Sequence, residues 1–117
     1  VSGYWQALET LIAGARVVID RPAGSRHPRF PDLIYPLDYG YLDGTSAMDG
    51  GGIDLWRGSA ANGLGGVLLT ADLTKRDAEV KLLLDCTPQE AAVALAFHNA
   101  GSQMRALLVL RDAAQAQ

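Results

Sequence analysis

Residues 35–56 read "YPLDYGYLDGTSAMDGGGIDLW" and hold three tyrosines, four aspartates and five glycines. Neither a core nor a linker calls for that mixture. The glycine- and aspartate-rich middle, Asp43 to Gly52, reads as a loop leading into the strand "IDLWRG". Outward from it, short β-prone runs separated by frequent turns continue in both directions, and that pattern decides the fold class.

Upstream, Tyr4, Trp5, Leu8, Leu11, Ile12 and Ala15 recur at steps of three and four, which predicts an amphipathic helix capped by Ser2 and stopped at Gly14. "RVVID" (residues 16–20) is a β-branched strand. "RPAGSRHPRFPD" carries three prolines and a glycine in twelve residues and must be loop. Downstream, "GGVLLTADL" and "AEVKLLLDC" are strands around the polar corner "TKRD". Thr87-Pro88-Gln89-Glu90 has the residues of a capping box with proline at N1, so a helix runs from Pro88 to about Asn99, burying Val93, Leu95, Ala96 and Phe97. "MRALLVLR" is a last strand, and "AAQAQ" a frayed tail.

The expected order is helix, about five short strands, helix, strand. That makes the fold class mainly β with flanking helices, and turns this frequent favour a small closed or half-closed β-barrel over a parallel sheet. One domain accounts for residues 1–117: an N-terminal helix (1–15), a barrel core with site loops (16–86), a helix and final strand (87–111) and a tail (112–117).

Composition narrows the function classes. Apolar residues make up 49%, charged residues 20%, and mean hydropathy is +0.07, an ordinary globule. The net charge of -3 gives no basic field for nucleic acid. No apolar run approaches a membrane span, and the first basic residue is Arg16, so neither a membrane partner nor a secretory signal is expected. A single cysteine, Cys86, points to a reducing, cytoplasmic setting.

Charge is concentrated in loops. Arg21, Arg26, His27 and Arg29 fall within nine residues, and Asp38, Asp43, Asp49 and Asp54 follow. Placed together, the two groups suit a metal-bound phosphate: carboxylates hold a hard cation, and arginines take the remaining phosphate oxygens. The bland alternative is two solvated loops that pair weakly. Tyr35, Tyr39 and Tyr41 are expected to point in more than one direction, Tyr39 into a pocket and Tyr41 toward core or interface. His98, on the last turn of a helix, reads as a partner of the helix dipole.

"VVIDRPAGSRHPRF", "IYPLDYGYLDGTSAMDGGGIDLW" and "KRDAEVKLLL", in this order, resemble the soluble family I inorganic pyrophosphatases. The resemblance implies a β-barrel core of OB-fold type and Mg²⁺-dependent hydrolysis of pyrophosphate to two phosphates, with Mn²⁺ as a substitute cation. It also allows a homo-oligomer. By the same resemblance Asp20 takes the place of the acid that ends the first strand. Arg29, Tyr35, Tyr39 and Lys81 would contact phosphate, with Arg26 or Arg21 reaching in where the family carries a hairpin that this chain lacks. Asp49, Asp54 and Asp72 would hold metal, as would either Asp77 or Glu79; Glu79 fits better, because it shares a strand face with Lys81. Asp54, Tyr39 and Lys81 would do the chemistry. Where the family has a middle aspartate that bridges two metals and orients the attacking water, this chain has Gly51. The other function class is therefore a non-catalytic module that binds a metal–phosphate or nucleotide polyphosphate.

Overall fold

The computed structural model describes residues 3–112, so Ser2 and the tail from residue 113 lie outside the described residues. The element order is α1 (Tyr4–Ala13), β1 (Arg16–Arg21), β2 (Asp38–Asp43), β3 (Ile53–Arg57), β4 (Leu64–Asp72), β5 (Asp77–Leu84), α2 (Pro88–His98) and β6 (Met104–Leu110). Helix, five strands, helix and strand is the order read from the sequence.

The six strands form one mixed sheet in the order β1-β2-β3-β5-β4-β6. All neighbours are antiparallel except β3 and β5, which pair in parallel through Leu55 with Leu82 and Trp56 with Leu83. The chain passes from β3 to β4, one position further out, and the β4–β5 hairpin then returns β5 into the gap.

The expected barrel is corrected here: the sheet is open, with β1 and β6 at opposite edges. The physical reason is that both faces are already covered. On one face α1 sets Trp5 and Leu8 against Leu42, Leu55, Val67, Leu82 and Leu84. On the other, α2 sets Ala91 and Ala94 against Trp56, Leu68 and Leu83, with Tyr35 completing the layer. Helices on both faces bury what barrel closure would otherwise bury. Leu82, Leu83 and Leu84 are all buried although they alternate between faces, as a doubly covered strand requires.

Both helix ends follow local chemistry. Thr87 Oγ1 accepts the Glu90 N–H at 3.1 Å, and Glu90 Oε1 accepts the Thr87 N–H at 2.8 Å, a complete capping box. At α1 the N-cap is Gly3, with no side-chain cap, and Gly14 follows the helix as expected. The inward face of α2 differs from the expectation: Ala91, Ala94 and His98 are buried, Leu95 and Phe97 pack beside them, and Val93 and Ala96 are exposed. Among the described residues no helix is long and apolar enough to cross a membrane.

Candidate functional site

Strand register builds the site. Tyr41 lies opposite Asp54 and Tyr39 opposite Trp56, so these four side chains share one face of the sheet. Trp56 pairs in turn with Leu83, which brings Lys81 and Glu79, two and four residues back along β5, to the same face. Tyr39 and Tyr41 therefore do not diverge; two residues apart on one strand, they point the same way. Tyr35 reaches this face from the loop before β2.

Lys81 stands at the centre. Its Nζ donates to Tyr39 Oη at 2.9 Å, to Asp54 Oδ2 at 3.0 Å and to Glu79 Oε1 at 3.4 Å, which uses all three ammonium donors. Tyr39 Oη donates to the same Asp54 Oδ2 at 2.9 Å. The lysine side chain is 4% exposed, Glu79 11% and Asp54 28%, so the carboxylate of Asp54 is the open side of the cluster. Burial works against the Lys81 ammonium, but Tyr39 and Asp54 outweigh it and hold the group above its usual value. Burial, with Asp54 adding to it, raises the Tyr39 phenol, which stays protonated and able to donate. One ammonium against two carboxylates leaves the cluster with one negative charge in excess.

Basic groups border the neighbouring Tyr35. Arg21 Nη1 donates to Tyr35 Oη at 2.5 Å, and its guanidinium carbon is 5.6 Å from the Tyr35 ring centre. The loop after β1 folds so that the His27 imidazole stacks on Tyr35, 6.1 Å between ring centres and 7° from parallel. Desolvation lowers the His27 pKa, and so do the positive fields of Arg21, Arg29 and Lys75. Three cations from the β1 end, the following loop and the β4–β5 turn thus contribute to the field at one imidazole. Lys75 is the residue that the sequence reading missed; in "TKRD" it has no signal beyond belonging to a polar turn.

The remaining expected residues are dispersed. Asp49, at an exposed loop tip, accepts the Gly51 N–H at 2.9 Å. Asp72 accepts the N–H groups of Thr74 and Lys75 at 2.9 and 3.1 Å, closing the hairpin in which it faces Asp77. Arg26 donates to Pro31 O within its own loop. Arg29 and Asp20 are exposed. Asp38 pairs with Arg57 at 3.1 Å, and Asp43 with Arg16 at 3.0 Å. The run of loop acids is therefore not a cluster in space: only Asp54 reaches Lys81, with Glu79 as its second acid. Among the described residues no three His, Cys, Asp or Glu side chains group closely enough to hold a metal ion.

His98 has another role than the one expected. Its Nε2 accepts the Trp56 indole N–H at 3.0 Å, and its Nδ1 lies 3.2 Å from Met104 Sδ. Burial, with the Lys81 charge behind it, pushes its pKa down to about 3. A neutral imidazole is no charged partner for the helix dipole; it fixes Trp56, whose ring meets that of Tyr39 edge-on at 4.7 Å. The signal available in sequence was weak, since a histidine at a helix end looks alike in either role.

The three glycines after Asp49 differ in kind. Gly50 has φ +86, a left-handed conformation that side chains disfavour. A Cβ at Gly52 would collide with Leu42 O and the Tyr41 ring, whereas one at Gly51 would meet the Asp49 carboxylate, Oδ1 at 3.4 Å and Cγ at 4.0 Å. No known protein family matches the chain, and no curated protein matches it either.

Proposed function

We propose that this chain binds magnesium-complexed pyrophosphate at the Lys81 cluster and hydrolyses it slowly to two phosphates. The observation that carries the reading is the bonding of Lys81: a buried ammonium held by Tyr39, Asp54 and Glu79, with Arg21 bonded to the Tyr35 ring that packs beside Tyr39. Carboxylates below and cations around them are what a metal–phosphate complex requires, because the metal needs acids and the phosphate oxygens need positive donors.

In this reading Asp54 and Glu79 would be the residues that hold a magnesium ion. Asp54 and Glu79 supply two carboxylates, and magnesium completes its shell with waters and substrate phosphates. Bound there, it would neutralise phosphate charge. Lys81 would remain an ammonium and stabilise the negative charge that builds as the bridging P–O bond breaks. The Tyr39 phenol would donate to a phosphate oxygen. Asp54, the most open acid of the group, would accept the proton of the water whose oxygen bonds to phosphorus. A second metal would lack ligands, since Asp49 and Asp72 are spent on turns, and a low rate would follow.

That same dispersal favours, as the second reading, a module that binds the complex without turning it over. Phosphate release from pyrophosphate with Mg²⁺ separates the two, with Asp54→Asn as control. Release that the substitution abolishes supports hydrolysis; metal-dependent binding without release supports the module. No affinity for pyrophosphate, with or without metal, overturns both.

A further inference from the structure

The open sheet has two edges, and they differ in kind. At β1, Arg16, Asp20 and Arg21 put charge at both ends, and the pairing with β2 is interrupted by a bulge between Ile19 and Arg21. Charges and bulges on an edge discourage a further strand. At the other edge β6 reads "MRALLVL", pairs with β4 without a break from Met104 to Leu110, and carries a single charge, Arg105. Leu107 and Leu110 are 62% and 54% exposed.

Hydrogen bonds beyond both ends of β6 show which of its backbone groups face outward. Gln103 O accepts from Leu73 N–H, and Arg111 N–H donates to Gly65 O, so odd-numbered residues bond toward β4 and even-numbered ones away from it. Side chains already cover part of that outward row. Asn99 imitates a strand at Ala106: its Oδ1 accepts the Ala106 N–H at 2.8 Å, and its Nδ2 donates to Ala106 O at 3.2 Å. Arg105 Nη1 donates to Met104 O at 2.8 Å. Among the described residues no side chain covers the outward N–H and C=O of Leu108 and Leu110.

Free donors and acceptors two residues apart on an apolar edge are a template for another strand. We propose that β6 pairs antiparallel with β6 of a second copy of this chain, about a two-fold axis at Val109. In that register Leu108 of each copy exchanges both backbone hydrogen bonds with Leu110 of the other, and every free outward group of the strand is used. Moving the axis to Leu108 would set Leu110 against Ala106, whose groups Asn99 already holds. Moving it to Leu110 would set Leu108 against Asp112, beyond the end of the strand.

The side chains suit the same register. Leu110 of each copy comes beside Leu108 of the other on the α2 side, and Val109 meets Val109 on the α1 side. Arg111, paired with Glu9 at 2.6 Å, meets Leu107, so no like charges stand opposite one another. Each copy supplies the apolar neighbour that the other's exposed Leu107 and Leu110 lack, which is the self-complementarity a two-fold contact requires. A foreign strand would have to match that pattern by coincidence. The inference stands apart from the phosphate reading.

Sedimentation equilibrium of the full chain over a range of concentrations tests this, and a monomer–dimer equilibrium is expected. Leu110→Pro removes a donor that faces the second copy and leaves the β4 ladder intact, so it should weaken dimerisation roughly 10-fold or more. Circular dichroism checks that this variant folds, and two cysteine variants test the register without proline. Val109→Cys places thiols across the axis, in a pair whose Cα atoms lie about 4.5 Å apart, within reach of a disulfide, and should cross-link on mild oxidation. Leu107→Cys, opposite Arg111, should not; the unsubstituted chain, whose Cys86 is buried, is the control. A chain that stays monomeric overturns the proposal. So does a dimer that a folded Leu110→Pro chain forms as tightly, or one that cross-links through Leu107→Cys in preference to Val109→Cys.

Discussion

Lys81 Nζ lies 3.0 Å from Asp54 Oδ2, on a lysine side chain that is 4% exposed against 28% for its partner. The pair is lopsided: the cation is shut in and the anion still meets water. Such a lysine cannot exchange partners freely, whereas the carboxylate can turn outward to a ligand.

Removing either partner tests that asymmetry. Asp54→Asn keeps the shape but weakens the charge-assisted bonds from Lys81 and Tyr39, and should cost about 1–3 kcal/mol of stability in urea denaturation. It should also abolish metal-dependent pyrophosphate binding. Lys81→Met removes the buried charge with little change of volume. It should cost more stability than Asp54→Asn, because it leaves Asp54 and the 11% exposed Glu79 without their shared counter-ion, while still abolishing binding. A Lys81→Met protein that binds pyrophosphate as before contradicts the site.

On the proposed reading Gly51 would take the place of an acid that serves a second metal. A side chain is tolerated there, meeting the Asp49 carboxylate at ordinary van der Waals distance, Oδ1 at 3.4 Å and Cγ at 4.0 Å. Gly51→Asp should fold with an unchanged Tm and raise the rate of phosphate release by about 100-fold or more, the usual worth of one preorganised electrostatic group. Gly52→Asp is the contrast: the backbone of Leu42 and the Tyr41 ring leave no room, and Tm should fall. A Gly51→Asp protein with the original rate would mean that the dispersed acids, rather than the missing one, limit the reaction.

His98 predicts an acid sensitivity. Its folded pKa, about 3, lies below its ordinary value of 6.5, so the unfolded chain takes up the proton first. The stability it contributes is complete above pH 6.5 and declines as the pH falls toward 3. Between pH 7 and pH 5 the loss should be about 2 kcal/mol, read from denaturant midpoints. His98→Gln, which retains an acceptor for the Trp56 N–H, should flatten that slope. An equal slope in the variant would assign the acid loss to other groups.

The capping box offers a control that is remote in function. Thr87→Ala removes the acceptor for the Glu90 N–H and should cost about 1 kcal/mol. Glu90 also accepts the Ser59 N–H, so Glu90→Ala should cost more than Thr87→Ala. Pyrophosphate affinity is expected to stay put in both, checked by calorimetric titration.

The secondary structure was legible because its causes are local. Thr87, Pro88 and Glu90 start a helix by contacts that span three residues, and Glu79 and Lys81 share a face because strands alternate. The overturned barrel shows the limit. Leu82-Leu83-Leu84 does say that both faces of β5 are buried, but helices on both sides and closure of the sheet bury such a strand equally well.

What the sequence by itself determined is therefore the set of elements, the alternation that joins Glu79 to Lys81, and the chemistry of the groups available for a phosphate. Only the tertiary structure decided which of those groups meet. Strand register across β2, β3 and β5 brought Tyr39 and Asp54 to Lys81, the fold of the β1–β2 loop set His27 within the fields of Arg29 and Lys75, and turn geometry spent Asp49 and Asp72 elsewhere. Spacing along a chain fixes a direction only within one element; which loop tip or strand faces another depends on pairings between residues far apart in sequence, and no local preference encodes those.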